Sequence, residues 1–482
     1  MSSKGSVTSN FFWRFFERCG AQGVTFLVSI VLARLLDPSV YGTIALITIF
    51  TTILNVFVDS GFGNALIQKK NADGLDFSSV FYFNITICSI LYIIMFFSAP
   101  YIAEFYKLPE LKNLIRVLSL VLIISGVKNV QQAYVSRNMM FKKFFFSTIG
   151  ETIGAAVVGI VLAYCGYGVW ALVFQMLFNS LVDTVILWFT VKWRPTKQFS
   201  FIRLKELFSY GWKLLISSLI DTVYLDIRSL IIGKMYSKND LAFYNQGEKF
   251  PKLVVTNINS SIDSVLLPTL SKFQDDSNAV REMTRRAIKT STYIMMPLMI
   301  GLAVCSEPLV RLILTEKWVP CVFFLRIFCF TYAFYPIHTA NLNAIKAMGR
   351  SDLFLILEII KKSFGIILLL ISMWFGVKAM ACSLLISTFI NQIINSWPNK
   401  KLLNYSYLNQ FSDMLPQIVL SLLMGTIIYV ISFFHLNSLL TLVLQFFTGL
   451  SIYVFLSIVF HIESFYYIYN KVKTIKLVKR SV

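Results

Sequence analysis

The chain has 482 residues, of which 56% are hydrophobic and 14% are charged, with a formal net charge of +20 and a mean hydropathy of +0.69. Soluble proteins usually carry charge on about a quarter of their residues, so this composition excludes a set of soluble domains. Apolar runs of about twenty residues, the length that crosses a bilayer as a helix, recur from end to end. We therefore predict an all-α integral membrane protein.

The apolar runs predict about fourteen transmembrane helices. Their ranges are 12–36, 41–67, 77–99, 113–136, 145–165, 168–191, 209–235, 244–270, 288–314, 320–346, 352–375, 377–398, 413–435 and 438–461. Basic residues cluster in the tails and in every second connector, as the positive-inside rule predicts for cytoplasmic segments. We expect a multi-pass protein of the cytoplasmic (inner) membrane with both termini in the cytoplasm. The basic, aromatic tail from Glu463 onward is expected to lie on the anionic inner leaflet, chiefly as a topology anchor.

A short polar stripe occurs twice in the chain. The segment TILNVFVDS at 52–60 returns as TNINSSIDS at 256–264, with identical residues at four of its positions. Weaker matches follow at similar offsets, such as Pro100 with Pro308 and Gly154 with Gly365. Because each copy would hold an even number of helices, the two copies would have the same orientation in the membrane. The predicted domains are an N-lobe at 1–200 (helices 1–6), a C-lobe at 201–405 (helices 7–12), and helices 13 and 14 with the basic tail at 406–482.

Several predicted helices carry polar residues at helical spacing. Ionisable groups at membrane depth are costly and usually face a bundle interior or a water-filled cavity, so we expect a central cavity between the two six-helix lobes. Guanidinium and ammonium groups suit phosphate or acidic sugars, and the candidates are Arg14, Arg18, Arg34, Arg228, Arg326, Lys361 and Lys362. The candidates for ion coupling or gating are Asp59, Asp263, Asp221, Asp226, Asn55 and Asn259.

For Asp59 and Asp263, a structural ion pair is as good an interpretation as ion coupling. Both carboxylates lie in the cytoplasmic third of their helices, near Arg14 or Arg18 and near Lys213. The position of the stripe at the cytoplasmic mouth favours a gate or an ion pair over a sugar-binding site.

Three other polar positions also have structural interpretations. Glu358 can pair with Lys361 or Lys362 along its own helix, and Arg34 can extend to the membrane surface by itself. A hydrogen-bonded packing role is favoured for His338 over a proton relay.

No enzyme motif is present in the sequence. It contains no P-loop, HExxH or GxSxG motif and no spaced set of metal ligands, and the outer connectors are too short for a catalytic domain. The sequence thus predicts a transporter without a catalytic residue, bound metal or organic cofactor, in which Na⁺ or H⁺ could serve as the coupling ion.

Two segments carry a family resemblance. LARLLDPSVYG at 32–42, followed by DSGFGNALIQKK at 59–70, resembles the N-terminal signature of polysaccharide transporters in the multidrug/oligosaccharidyl-lipid/polysaccharide exporter superfamily. The stretch from Tyr244 to Asp276 is similar to Wzx-type flippases of the lipopolysaccharide and teichuronic acid classes. The resemblance covers about residues 1–400.

The resemblance implies a flippase that moves undecaprenyl-pyrophosphate-linked oligosaccharide repeat units by alternating access of the two lobes. The implied partners are the lipid-linked oligosaccharide, membrane lipids and possible polymerase and chain-length regulator proteins, without nucleic acid. A multidrug exporter of the same superfamily is the nearest alternative, and a membrane polysaccharide polymerase or ligase is a more distant one.

Overall fold

We describe a computed structural model of the chain, which covers residues 4–59, 62–69, 71–434 and 436–480. The side chains of residues 4–19, 59, 64, 68, 141, 210, 472 and 474–480 lie outside this description. Within these ranges all regular secondary structure is helical. The α-helices are α1 (Lys4–Leu35), α2 (Pro38–Asp59), α3 (Phe62–Gln68), α4 (Gly74–Phe105), α5 (Leu111–Leu118), α6 (Leu120–Arg137), α7 (Phe141–Tyr164), α8 (Val169–Thr190), α9 (Phe201–Met235), α10 (Lys238–Ser271), α11 (Ser277–Val304), α12 (Ser306–Ile313), α13 (Cys321–Ala333), α14 (Tyr335–Ala347), α15 (Ser351–Ser372), α16 (Val377–Leu402), α17 (Tyr407–Ile431), α18 (Ser438–Val459) and α19 (Glu463–Arg480).

Several predicted helices are divided in the structure. The predicted helix 41–67 corresponds to α2 and α3, and the predicted helix 113–136 corresponds to α5 and α6. The predicted helix 320–346 becomes α13 and α14, and Pro336 stands in the first turn of α14. Proline has no backbone N–H to donate and is tolerated at a helix start, which accounts for the division at this point.

Two connectors between predicted membrane helices are partly helical. The side chain of Asp276 caps α11 by accepting hydrogen bonds from the backbone N–H groups of Asn278 and Ala279, both at 3.0 Å. The Ser200 hydroxyl accepts from the N–H of Arg203 at the start of α9. These side chains satisfy backbone donors that have no intrahelical acceptor, so both helices begin well before the apolar runs.

Ten helical segments in the described part of the chain are long and apolar enough to cross a membrane. The chain is therefore a multi-pass membrane protein. The predicted spans on α9, α10 and α15 are not among the ten, and the apolar part of α1 is the shorter stretch Gly20–Leu35. Ionisable residues interrupt the apolar runs of α9 and α15, such as Asp221, Asp226 and Arg228 on α9 and Glu358, Lys361 and Lys362 on α15. Fourteen crossings and the repeat layout stay predictions.

The helices form two compact units, Met1–Ala242 (unit 1) and Phe243–Val482 (unit 2). Helix α9 packs with α2, α3 and α4 of unit 1, and the division falls in the first turns of α10. The lobe boundary near residue 200 was predicted from the repeated sequence and not from helix packing. It therefore stays a prediction.

Close helix packing in unit 1 depends on small residues. A Cβ atom added at Gly154 would lie 2.9 Å from Phe178 Cε1, and one at Gly159 would lie 2.9 Å from Gln175 Cδ. Both contacts join α7 to α8. In a bilayer, helix association gains little from the hydrophobic effect and depends on close van der Waals packing, so these glycines let the two helices approach.

A proline inside α4 explains one contact of an arginine in unit 1. Pro100 provides no N–H for the carbonyl of Phe96 one turn earlier. The Nε atom of Arg116 on α5 donates to that carbonyl at 3.1 Å, and the guanidinium lies 4.1 Å from the Phe96 ring centroid. Arg116 thereby satisfies an acceptor that the proline leaves unpaired.

Unit 2 contains two apolar clusters. One joins α10, α11, α14 and α17 through buried residues that include Leu270, Ile288 and Met414. The other joins α11, α17 and α18 around Tyr293 and Tyr453. The Tyr453 hydroxyl donates to the carbonyl of Tyr293 at 2.7 Å, so the polar end of this buried ring is satisfied.

Candidate functional site

A cavity of about 690 Å³ lies inside unit 1. Helices α1, α2, α6, α7 and α8 contribute its walls. The lining is mostly polar and comprises Ala21, Thr25, Val28, Asn55, Val121, Ser125, Lys128, Gln132, Thr148, Glu151, Thr152, Ala155, Gln175, Met176, Asn179 and Ser180. A polar surface of this extent inside a membrane bundle indicates a functional or water-filled site rather than packing. All of these lining residues belong to unit 1, and a cavity between two lobes stays a prediction.

The charged groups beside the cavity form a buried cluster around Asp183 of α8. Lys128 Nζ lies 3.0 Å from Asp183 Oδ2, and Gln132 Nε2 donates to the same oxygen at 3.2 Å. The Ser147 hydroxyl donates to the other carboxylate oxygen. The Asp183 side chain is only 6% exposed, so its negative charge is compensated inside the protein.

The polar stripe places one residue in this cavity. Asn55 lines it, and the Asn55 side-chain oxygen is buried with no hydrogen-bond partner among the described residues. The side-chain oxygen of Asn259, its predicted counterpart on α10, is also buried and without such a partner. Thr52 and Thr256 are both exposed. The two copies of the stripe therefore have similar environments in their respective units.

The predicted cations are on α1, α9, α13 and α15. Arg14 and Arg18 are on α1, and their side chains lie outside the described residues. Arg34 is exposed in the last turn of α1, and Arg228 is half-buried on α9. None of the described cations among the phosphate-binding candidates contributes to the lining of the cavity.

Two of the candidate cations in unit 2 are engaged with neighbouring groups. Arg326 Nε lies 3.0 Å from the Ser306 hydroxyl and 3.3 Å from the carbonyl of Ala303, so it joins α13 to the end of α11. Lys361 Nζ lies 2.5 Å from Glu358 Oε1, which is the pairing within α15 that the spacing predicted. Lys362 follows on the same helix and is half-buried.

The candidate carboxylates are dispersed along three helices. Asp59 is the last residue of α2, and its side chain lies outside the described residues. Asp221 is exposed and Asp226 is half-buried on α9, while Asp263 is exposed on α10. The roles of these residues stay predictions.

A second buried polar centre connects α14, α16 and α17 in unit 2. Asn341 and Gln410 exchange two hydrogen bonds, both of 2.9 Å. Asn399 Nδ2 donates to Asn341 Oδ1 at 2.7 Å. His338 contacts Asn395 Nδ2 at 3.2 Å, which fits the hydrogen-bonded packing role favoured for this histidine.

Lys128 was not among the candidate residues selected from the sequence. A signal was present, because Lys128 is a basic residue inside an apolar segment and lies one helical turn before Gln132. The residue that it pairs with is on another helix, and no local pattern indicates that pairing.

The fold is that of solved membrane transporters. A structure described as the lipid II flippase MurJ in an inward closed conformation matches with a TM-score of 0.75 at 18% identity, over 93% of this chain and 98% of that chain. An inward-facing multidrug resistance MATE family transporter of the MOP superfamily matches with a TM-score of 0.60 at 14% identity, over 79% of this chain and 95% of that one. At these identities the likeness concerns the fold.

Three sequence relatives come from bacteria. The succinoglycan biosynthesis transport protein ExoT of Rhizobium meliloti (strain 1021) is 24% identical over 65% of this chain and 63% of its own length. The teichuronic acid biosynthesis protein TuaB of Bacillus subtilis (strain 168) is 26% identical over 63% of each chain. The lipopolysaccharide biosynthesis protein WzxC of Escherichia coli (strain K12) is 24% identical over 76% of this chain and 74% of its own length. The matches to ExoT and TuaB thus span somewhat less than two thirds of those proteins.

A family model described as "Polysaccharide biosynthesis protein" matches residues 31–323. This range includes both segments on which the resemblance to polysaccharide transporters was based, and the resemblance is confirmed. Because the match covers more than half of the chain, the protein belongs to the polysaccharide biosynthesis protein family.

Proposed function

We propose that this protein is a flippase that moves undecaprenyl-pyrophosphate-linked oligosaccharide repeat units across the cytoplasmic membrane during assembly of a cell-surface polysaccharide. The family match carries the proposal. The names of relatives in succinoglycan, teichuronic acid and lipopolysaccharide biosynthesis support it, as does a fold shared with a lipid II flippase.

In the proposed mechanism, two helical lobes alternate access to the two leaflets. The headgroup of the substrate is strongly polar, so its passage needs a surface that replaces water. The cationic residues Arg14, Arg18, Arg34, Arg228, Arg326, Lys361 and Lys362 are the proposed partners of the pyrophosphate or of acidic sugars. Arginine is suited to this role because its planar guanidinium can bind two phosphate oxygens at once.

We further propose that an ion gradient, of Na⁺ or H⁺, drives the cycle. The proposed coupling or gating residues are Asp59, Asp263, Asp221, Asp226, Asn55 and Asn259. A role of Asn55 toward an ion or water is supported by its side-chain oxygen, which is buried at the cavity and has no hydrogen-bond partner in the described part of the chain. The Lys128 ammonium already neutralises Asp183, so we do not assign ion coupling to that carboxylate.

The same proposal includes the cellular setting. The protein would lie in the cytoplasmic membrane with both termini inside, and it would deliver repeat units to a polymerase and a chain-length regulator. The family match favours this assignment over a multidrug exporter.

Reconstitution tests the proposal directly. Purified protein in liposomes should move a fluorescent undecaprenyl-pyrophosphate oligosaccharide to the opposite leaflet, measured by its accessibility to a membrane-impermeant glycosidase or quencher. Imposed Na⁺ and pH gradients, applied separately, identify the coupling ion. Transport of a cationic dye without movement of the lipid-linked sugar would contradict the flippase and support the exporter alternative.

A further inference from the structure

The C-terminal helix α19 is docked onto unit 2 rather than extending freely. Ile462 is buried in the apolar cluster around Tyr293 and Tyr453, and Phe465 and Ile468 are partly buried against it. Ile462 directly precedes α19, and Phe465 and Ile468 are three residues apart and so lie on one side of the helix. The first turns of α19 are thus held against α11 and α18.

An ionic contact adds to this docking. Lys289 of α11 donates a hydrogen bond to Glu463 at the start of α19 and lies 3.9 Å from Asp413. Arg285 binds both oxygens of Asp413, each at 2.8 Å. The charges of Arg285 and Lys289 are therefore largely compensated by carboxylates.

Two further cations, Arg286 of α11 and Lys471 of α19, lie beside the ring of Tyr467. Arg286 is exposed, and its guanidinium lies 5.2 Å from the Tyr467 ring centroid. Lys471 Nζ lies 5.1 Å from the same ring. Arg286 has no carboxylate within ion-pair distance among the described residues. The pKa of the Tyr467 hydroxyl is lowered, first by its hydrogen bond with Lys471 and also by the charge of Arg286, which indicates a positive local potential.

A pocket of about 260 Å³ opens beside these cations. Arg286, Lys289, Thr290, Ser464 and Tyr467 contribute to its walls, together with Tyr466 and with Glu463, whose charge is paired with Lys289. It thus combines cationic groups with hydroxyl groups, which are donors suited to phosphate oxygens.

Exposed aromatic residues on and beside α19 favour a membrane lipid over free phosphate as the ligand of the pocket. Tyr466 lines the pocket and is 37% exposed, and Tyr469 of α19 and Phe460 just before it are 56% and 57% exposed. Aromatic residues of this kind are enriched where a membrane meets water. We propose that the pocket between α11 and α19 binds the phosphate group of an anionic membrane phospholipid. Arg286 and Lys471 supply the charge, and the exposed aromatic rings contact the lipid beside it.

This site would make the attachment of α19 depend on lipid composition. A bound phosphate would be shared by Arg286 of α11 and Lys471 of α19, so it would connect the two helices where the side chains alone repel each other. The inference concerns regulation and does not depend on which substrate the protein moves.

Lipid binding to the full-length protein tests the site. Thermal unfolding in neutral detergent is measured with phosphatidylglycerol, phosphatidylcholine or inorganic phosphate, and retained lipid is counted by native mass spectrometry. We expect phosphatidylglycerol to raise the unfolding temperature and to be retained, and the other two to have little effect. Arg286→Gln and Lys471→Gln should each weaken the apparent affinity by about tenfold, or 1.4 kcal/mol.

The matched control is Lys473→Gln, which removes one exposed charge from α19 and leaves both cations at the Tyr467 ring in place. It should bind phosphatidylglycerol almost as the unchanged protein does. An equal loss in all three variants would overturn the proposal in favour of general charge attraction, and an equal effect of inorganic phosphate would overturn the assignment to a lipid. These binding measurements do not involve transport, so an inactive flippase would leave them interpretable.

Discussion

Lys128 of α6 and Asp183 of α8 form a buried ion pair at the cavity of unit 1, with 3.0 Å between Nζ and Oδ2. Their side chains are 18% and 6% exposed. Removing one partner from such a pair leaves an uncompensated charge in a medium of low polarity, and that costs more than the pair contributes when intact. The pair therefore couples the two helices.

Asp183→Asn should destabilise unit 1 by on the order of 3 kcal/mol, because the Lys128 ammonium would lose its counter-charge. The double variant Lys128→Met with Asp183→Asn should recover much of that loss, measured as the thermal unfolding temperature in detergent. Asp352→Asn removes one carboxylate of the exposed pair with Arg350 and serves as the control with little expected change. If the stability lost by the double variant equalled the sum of the losses of Lys128→Met and Asp183→Asn measured singly, the two residues would not be coupled.

Replacing Asn341 by Leu should destabilise unit 2 by about 1 to 3 kcal/mol for each polar partner that it leaves unpaired. Gln410 and Asn399 would lose their hydrogen bonds to Asn341. The matched control is Asn343→Leu on the same helix. Asn343 is 1% exposed, and both of its polar side-chain atoms lack partners among the described residues, so its replacement should be neutral or stabilising. Equal destabilisation by both variants would contradict the assigned network.

Filling the cavity of unit 1 should impair transport without unfolding the protein. Ser125 lines the cavity, and Ser125→Phe should lower the flipping rate by about tenfold or more, which corresponds to about 1.4 kcal/mol in the barrier. Val157→Phe introduces the same side chain at a position of α7 that is 58% exposed, and it should transport normally. Normal flipping by folded Ser125→Phe protein would show that the cavity takes no part in transport.

Acidic pH should loosen the attachment of α19. The pKa of Glu463 is lowered below its ordinary value of 4.5, first by the hydrogen bond from Lys289, while partial burial opposes the shift. A carboxyl group with a lowered pKa contributes stability that is present above its unfolded pKa and is lost as the pH falls through the folded value. Amide exchange of residues 463–470, corrected for intrinsic rates, should therefore rise as the pH decreases below 4.5.

The control for this pH dependence is Glu463→Gln. Its α19 amides should already exchange faster at neutral pH, and their exchange should depend less on acidification. An unchanged pH profile in this variant would assign the effect to another carboxyl group, such as Asp413.

The sequence by itself determined the class of this protein and its family. Hydropathy and composition are sums over consecutive residues, so they identify membrane helices without knowledge of the fold. They also located the polar stripe that contains Asn55, because helical periodicity relates side chains on one helix. The pairing of Glu358 with Lys361 was predicted for the same reason, since both residues belong to α15.

The tertiary structure decided which polar groups compensate one another. Lys128 pairs with Asp183, and Glu463 pairs with Lys289. Arg116 donates to the Phe96 carbonyl that Pro100 leaves unpaired. In each case the two partners are on different helices. A buried charge or polar group must find a partner in a medium without water, but the partner depends on which helix faces meet. That relation is a property of packing, and no local spacing in the chain encodes it.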